Sequence, residues 1–238
     1  MALDGIFLSK IKDELTAKAV GLRVDRVNQP TRDEIILNLR GKGCNYRLLF
    51  CVRADSPRVH FTSHSIDNPP VPPMFCMLMR KYLTGALIKN IRQYEMDRIL
   101  FVDFDATNEI GDKIELSLCI EIMGKYSNLI LINDGKVVDA IKRVDITTSS
   151  VRQILPGIEY KLPPSQDKLN IENEDIDFIV DRILAQGDKY LSSAIMNVIQ
   201  GVSPVVSREL AYRATFDDAA VSSLTTEQKI IFKFSLAK

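Results

Sequence analysis

Nine short strand-like segments, separated by turn signals, recur along the chain between residues 22 and 143, and then that pattern stops. The first group is Leu22–Asn28, Glu34–Arg40, Tyr46–Cys51 and Arg58–Thr62. The second is Leu87–Tyr94, Ile99–Phe104, Ile114–Ile122, Asn128–Ile132 and Val137–Arg143. Gln29-Pro30, Gly41-Lys42-Gly43 and Asp55-Ser56-Pro57 read as turns within the first group. Asn108-Glu-Ile-Gly-Asp112 and Asn133-Asp-Gly135 read as hairpin turns within the second. So many short strands with so few helices between them predict a β-sandwich or barrel.

Two helices interrupt the strands. Phe7, Ile11, Leu15 and Ala19 recur at i, i+4 spacing and predict a helix from Phe7 to Ala19. The stiff segment Asn68-Pro-Pro-Val-Pro-Pro73 precedes a second, Met74–Leu83, whose Met-rich face reads as core. After Pro156-Gly157 and Pro163-Pro164 the period turns helical: Ile176–Ala185, Leu191–Ile199, Pro204–Ala214 and Glu227–Leu236. The expected fold class is α+β, with a β-rich domain over 1–168 and a helical domain over 169–238; the division falls between 165 and 175.

Composition narrows the function classes. The 238 residues are 46% hydrophobic and 26% charged, which excludes a disordered tail, a collagenous repeat and a disulfide scaffold. No apolar run approaches the roughly 20 residues that cross a bilayer. The start Met1-Ala-Leu-Asp-Gly5 lacks the basic region and apolar core of a secretory signal, so no membrane association and a cytoplasmic location are expected. Cys44, Cys51, Cys76 and Cys119 form no C-x-x-C pair and read as buried reduced thiols. His60 and His64 lie four apart in an extended, loop-like stretch without a His-Glu-x-x-His pattern, so no metal is expected.

The zero net charge sums unlike halves. Residues 1–104 carry 16 basic and 11 acidic side chains, and residues 105–238 carry 15 and 20. A basic N-terminal half suits phosphates. The acidic run Ile171–Asp177 reads instead as a solvated helix start.

Two constellations carry chemistry. Tyr94-Glu-Met-Asp-Arg-Ile99 falls at a tight turn between strands. Arg98 offers a planar fork to a phosphate, and Asp97 can hold that fork or accept from a ribose hydroxyl. The bland reading is a capped hairpin turn. The second constellation is Leu191–Arg213, two amphipathic helices around Gly201-Val-Ser-Pro204. It looks like a helix–hairpin–helix element, whose Gly201 and Ser203 backbone N–H groups can face a phosphate. Its bland reading is an αα-hairpin packing its own core.

Asp4-Gly-Ile-Phe7, Pro72-Pro-Met-Phe-Cys-Met-Leu-Met-Arg-Lys81, Asp97-Arg98, Asn108-Glu-Ile-Gly-Asp112, Glu121-Ile-Met-Gly-Lys-Tyr-Ser-Asn128 and Gly201-Val-Ser-Pro204 occur in this order. Together they resemble the N-terminal NFACT region of the RqcH/NEMF family, whose bacterial members are often named fibronectin-binding proteins. The resemblance spans nearly the whole chain.

It implies a factor that binds the large ribosomal subunit with a stalled peptidyl-tRNA. There it recruits tRNA, alanine tRNA in bacteria, to extend the trapped chain. The family's tRNA-recruiting Asp-Arg pair falls on Asp97 and Arg98, and its N-terminal Asp on Asp4. The family's Ser-Arg-Val-His segment is matched in part by Ser56, Arg58, Val59 and His60, with Pro57 intruding. Where the family commonly has Arg-His before Ser-Asn, Lys125-Tyr126 stands here, so Lys125 keeps the charge and loses the bidentate fork.

The resemblance extends to the N-terminal part of formamidopyrimidine-DNA glycosylases, which use an N-terminal proline amine as nucleophile. No proline precedes Pro30, so a binding module without enzymatic activity or cofactor is expected. Relatives continue into a coiled coil, and the apolar helical pattern at Ile230–Leu236 is expected to be cut short before one. Two alternatives stand beside this reading. One is a fibronectin- or fibrinogen-binding surface protein, on the family name alone; the other is an inactive, DNA-binding glycosylase-like protein.

Overall fold

The structure, a computed structural model, describes residues 3–64, 67–164 and 166–237; Met1 and Ala2, read above for a leader, lie outside them. The chain forms two compact units. The first comprises Phe7–Tyr94 and Arg98–Pro163 with the N-terminal residues to Leu3. The second comprises Pro164 onward together with two short strips, Asp4–Ile6 and Glu95–Asp97.

The first unit is a nine-stranded antiparallel sheet with two helices. In chain order its elements are α1 (Gly5–Ala19), β1 (Arg23–Thr31), β2 (Glu34–Gly41), β3 (Cys44–Cys51), β4 (Arg58–Phe61), α2 (Met74–Leu83), β5 (Leu87–Gln93), β6 (Ile99–Thr107), β7 (Lys113–Glu121), β8 (Asn128–Asn133) and β9 (Lys136–Ala140). The strands lie in the order β4-β3-β2-β1-β5-β6-β7-β8-β9. Successive side chains of a strand face opposite sides. Ile35, Leu37, Leu39, Leu48 and Phe50 therefore share one face of the first four strands. They join Val102, Phe104, Leu116, Leu118 and Leu129 of the later strands in a single core.

The sheet folds over where β1 meets β5, a seam with one ladder pair, Arg23 with Leu87. The two leaves meet again beyond β9, where Lys142 Nζ donates to Val52 O at 2.6 Å. This is the expected sandwich, made from one continuous sheet.

Three details differ from the sequence reading. Gln29-Pro30 is no turn: both lie within β1, and the reversal is Arg32-Asp33. A register shift between Asn28 and Thr31 takes up the missing Pro30 N–H. In α1 the buried face is Leu8, Leu15 and Ala19, while Phe7 is 54% exposed. His60 lies in β4, within the predicted strand Arg58–Thr62, and not in the loop-like stretch read for the His60 and His64 pair. Helix α2 spans the predicted residues and buries Phe75, Cys76, Met79 and Leu83; Arg80 Nε donates to Val27 O at 2.8 Å, tying it to β1.

Three of the four cysteines are buried, and Cys44 is half-buried. Burial pushes the Cys51, Cys76 and Cys119 thiols up, Cys119 far beyond the ordinary range. The native protein is therefore expected to show one fast thiol, Cys44, toward a disulfide reagent, and four after denaturation. Fast labelling of a second thiol in the native state would contradict this packing.

The second unit holds α3 (Ile176–Leu184), α4 (Leu191–Val198), α5 (Pro204–Thr215) and α6 (Thr226–Leu236). Ile179, Ile183, Leu191, Ile195, Ala211 and Phe232 form its core. The acidic run before α3 does what a helix start requires: the Asp175 carboxylate accepts from the Asp177 and Phe178 N–H groups. Thr225 and Gln228 form a capping box on α6. No helix among the described residues is long and apolar enough to cross a membrane.

Candidate nucleic-acid interface

The turn between β5 and β6 is closed by Tyr94 N–H donating to Ile99 O at 2.9 Å. Four residues must reverse the chain, and Glu95 takes up the left-handed conformation at φ 47°. The next residue, Met96, is buried, and its carbonyl is seated between two glycines of the second unit. A Cβ on Gly5 would lie 1.8 Å from that oxygen, and one on Gly201 would lie 2.0 Å from it. Gly5 N–H also donates to Gly201 O at 2.8 Å. No side chain fits at either position. Three distant pieces of chain thus meet backbone to backbone: Asp4-Gly5, Met96-Asp97 and the α4–α5 turn.

In that turn Gly201 adopts φ 75°. The Ser203 hydroxyl accepts from Val206 N–H at 3.3 Å and caps α5, with Pro204 beginning the helix. The Gly201 carbonyl and the Ser203 side chain thus have partners within the unit.

Arg98 begins the return into the first unit. Its carbonyl accepts from Ile122 N–H at 2.8 Å, and Ile99 pairs with Glu121 at the end of β7. A single 3-10 turn, Gly124–Tyr126, follows, so Lys125 emerges at the same end of the strands as Arg98. Lys125 is exposed, with its ammonium 4.9 Å from the Tyr126 ring centroid.

The conspicuous motif around Lys125 is mostly scaffold. Ser127 Oγ accepts from Met123 N–H at 2.8 Å. Asn128 Oδ1 accepts from Leu129 and Lys142 N–H groups, and its Nδ2 donates to Lys142 O at 2.7 Å. Glu121 is buried in a bidentate pair with Arg152, at 2.6 and 2.9 Å, and accepts from the Tyr160 hydroxyl at 2.9 Å. These bonds strap the segment after β9 across the outer face of β6–β8.

Arg58 and His60 stand on neighbouring outward positions of β4. Arg58 Nε donates to His60 Nε2 at 3.3 Å, so the proton of the neutral imidazole sits on Nδ1, which donates to Phe61 O at 2.7 Å. Arg58 also donates to Ser56 O at 2.9 Å, to Cys51 Sγ at 3.2 Å and to the buried Glu34 carboxylate at 3.4 Å. Its fork therefore organises the β3–β4 loop. Among the described residues no group of three or more His, Cys, Asp or Glu side chains is placed to hold a metal ion.

The sequence-predicted residues thus fall into two sets. Asp4, Asp97, Gly201 and Ser203 belong to the second unit, and Arg58, His60, Arg98 and Lys125 to the first. The chain passes between them at the Asp97–Arg98 peptide. Sequence reasoning missed Gly5, Glu34, Arg152 and Tyr160. Their partners lie tens to hundreds of residues away, and no local spacing signals such a contact.

The family model for NFACT N-terminal and middle domains matches residues 4–234. The protein called Rqc2 homolog RqcH in Bacillus subtilis is 38% identical over 217 residues, covering 90% of this chain and 38% of the relative. Its namesake in Streptococcus suis is 36% identical over 247 residues, covering 99% and 44%. The solved N-terminal part of the fibronectin/fibrinogen-binding protein from Streptococcus suis superposes with a TM-score of 0.86 at 35% identity, covering 100% of this chain and 85% of that one. The chain spans 38% and 44% of the length of the two curated relatives. It belongs to the NFACT family, matching the family's N-terminal and middle domains over nearly its whole length.

Proposed function

We propose that this chain is the tRNA-contacting part of a ribosome quality-control factor, and that Asp97 and Arg98 make the central contact. The observation that carries this reading is the anchored turn. Met96 O is seated between two glycines that admit no side chain, and Ile122 N–H holds the Arg98 carbonyl. Each backbone is fixed within its own unit, that of Asp97 beside the seated Met96 and that of Arg98 by its bond to Ile122, so each side chain loses little entropy when it engages a ligand. Arg98 would take a phosphate, Asp97 a ribose hydroxyl, and Asp4 would support the same strip.

Lys125, at the same strand end as Arg98, would add an unforked positive charge. Arg58 and His60 would act by holding the β3–β4 loop in place. The α4–α5 turn would offer the N–H groups near Gly201 and Ser203 to a second phosphate. The partners on this reading are a tRNA and the large ribosomal subunit carrying a stalled peptidyl-tRNA. The ribosome performs the peptide-bond chemistry that extends the stalled chain, with alanine in bacterial relatives, so the chain itself needs no catalytic residue or cofactor. The fibronectin-binding alternative rests on names of relatives, and the glycosylase-like one on fold alone, from which function does not follow.

The test is fluorescence anisotropy with labelled tRNA at several salt concentrations. The wild type is expected to bind with a steep salt dependence. Asp97→Ala/Arg98→Ala is expected to weaken binding by about tenfold or more and lower the slope of log affinity against log salt by about one. Unchanged affinity in the double variant would refute the assignment. Absence of wild-type binding, both alone and with large subunits added, would refute the function itself.

A further inference from the structure

We propose that the outward face of β1–β4 is a second RNA-backbone surface, separate from the Asp97–Arg98 turn; this deepens the tRNA-binding reading and rests on it. Strand alternation sorts the side chains. Ile35, Leu37, Leu39, Leu48 and Phe50 point into the core. Asn38, Arg40, Asn45 and Arg47 lie at the intervening positions and point outward. In β1 a register shift between Val24 and Arg26 leaves Asp25 as the extra residue, so Arg23 and Arg26 both face outward beside Arg40 and Asn38.

Five arginines therefore share this face: Arg23, Arg26, Arg40, Arg47 and Arg58. Two carboxylates accompany them, so the basic side chains outnumber the acidic ones five to two, although Asp25 borders the central hollow. Glu34 is buried and faces Arg58, and Asp25 stands 3.9 Å from Arg40. Arg23 is paired directly across the ladder with Arg40, an arrangement of like charges that weakens a sheet.

At the centre is a hollow of about 250 Å³ lined by Arg26 and Arg47, by the amides of Asn28, Asn38 and Asn68, by His64 and Ile36, and by the one carboxylate of Asp25. Among the described residues the Arg26 guanidinium has no hydrogen-bond or ion-pair partner. Arg47 uses Nη1 alone, donating to Ser63 O and His64 O at 3.4 and 3.2 Å.

The chemistry selects the ligand. The positive charges do not converge on one point, as a single small anion would require; they run across four strands, as an extended phosphodiester chain would. Between them stand side-chain amides, which both donate and accept, and which suit ribose hydroxyls and base edges. An acidic peptide would use the arginines and leave the amides without complementary partners.

The experiment compares Arg26→Gln/Arg47→Gln and Arg26→Lys/Arg47→Lys in the full chain, with tRNA as the probe, by anisotropy over a salt series. Both positions are exposed, and a thermal melt checks that folding is intact. The Gln pair is expected to bind roughly tenfold more weakly than wild type near 0.2 M salt, with a slope lower by about two. The Lys pair is expected to keep the wild-type slope. The effect should add to that of Asp97→Ala/Arg98→Ala, since the two surfaces are distinct.

Wild-type affinity and slope in the Gln pair would overturn the proposal. If the Asp97/Arg98 variant still lost binding, the tRNA reading would survive. Equal loss in the Gln and Lys pairs would also overturn it, because charge would then not be the operative property. Failure of the wild type to bind tRNA, with or without large subunits, would overturn both. Tight binding of a poly-glutamate peptide, abolished by the Gln pair while tRNA binding persisted, would replace RNA with an acidic protein.

Discussion

Gly201→Ala is expected to destabilise the second unit by roughly 3–5 kcal/mol, from left-handed backbone strain together with overpacking. The residue sits at φ 75°, and its new methyl would lie 2.0 Å from Met96 O and 3.2 Å from the Gly5 Cα. Every group it meets is backbone, so no rotamer change relieves the contact. Gly43→Ala provides the control, because Gly43 has nearly the same φ, 78°, and nothing within 4 Å of a built Cβ. That substitution should cost only about 1 kcal/mol of conformational strain.

Urea unfolding followed by circular dichroism measures both. Equal costs for the two variants would mean that the Met96 carbonyl is not seated between the glycines. Gly5→Ala should behave as Gly201→Ala does, with its methyl 1.8 Å from the same oxygen. Since Asp4 precedes Gly5 and Asp97 follows Met96, either substitution should also weaken tRNA binding on the proposed function.

The second large effect is expected at Glu121. Glu121→Ala should cost the first unit about 3–5 kcal/mol, because it leaves the Arg152 guanidinium buried and unpaired. The Glu121 side chain is 2% exposed and that of Arg152 14%, so water cannot readily replace the lost carboxylate. Tyr160→Phe removes one hydrogen bond to Glu121 and should cost about 1 kcal/mol. Burial, reinforced by Cys119 and Glu121, pushes the Tyr160 phenol far above its ordinary range, so it stays a neutral donor.

The discriminating variant is Glu121→Leu/Arg152→Met. It removes both charges and should recover most of the stability lost in Glu121→Ala. A double variant as unstable as the single one would show that the cost comes from packing rather than from the orphaned cation. Because Ile99 pairs with Glu121, the clamp also steadies the strand that begins beside Arg98.

Much of this architecture is legible in the sequence. Period-two alternation and turn residues locate all nine strands, since side-chain direction along a strand is a local property. Met74–Leu83 is bounded by Pro73 before it and by an extended Thr84 after it. The Gln29-Pro30 error has a local cause: proline signals a turn or a bulge with the same chemistry, and the ladder decides which. In α1, i, i+4 spacing fits two overlapping stripes, and Phe7 begins the one that is left partly exposed. Leu8, Leu15 and Ala19 form the one that meets the sheet.

The sequence by itself therefore determined the elements, the α+β class, the kinship, and the candidate residues carried by short motifs. Only the tertiary structure decided what each residue does. The Glu121 motif signalled kinship, and the fold made it a strut by bringing Arg152 against it from 31 residues away. Gly5, Met96 and Gly201 are unremarkable singly and become a fixed joint where their backbones meet. Five arginines scattered over 36 positions become one face because four strands pair in order and the register shift between Val24 and Arg26 turns Arg23 and Arg26 the same way. Local propensity acts over a few bonds. Burial and backbone contact act through space between residues that the chain must first bring together, so these roles emerge only with the fold.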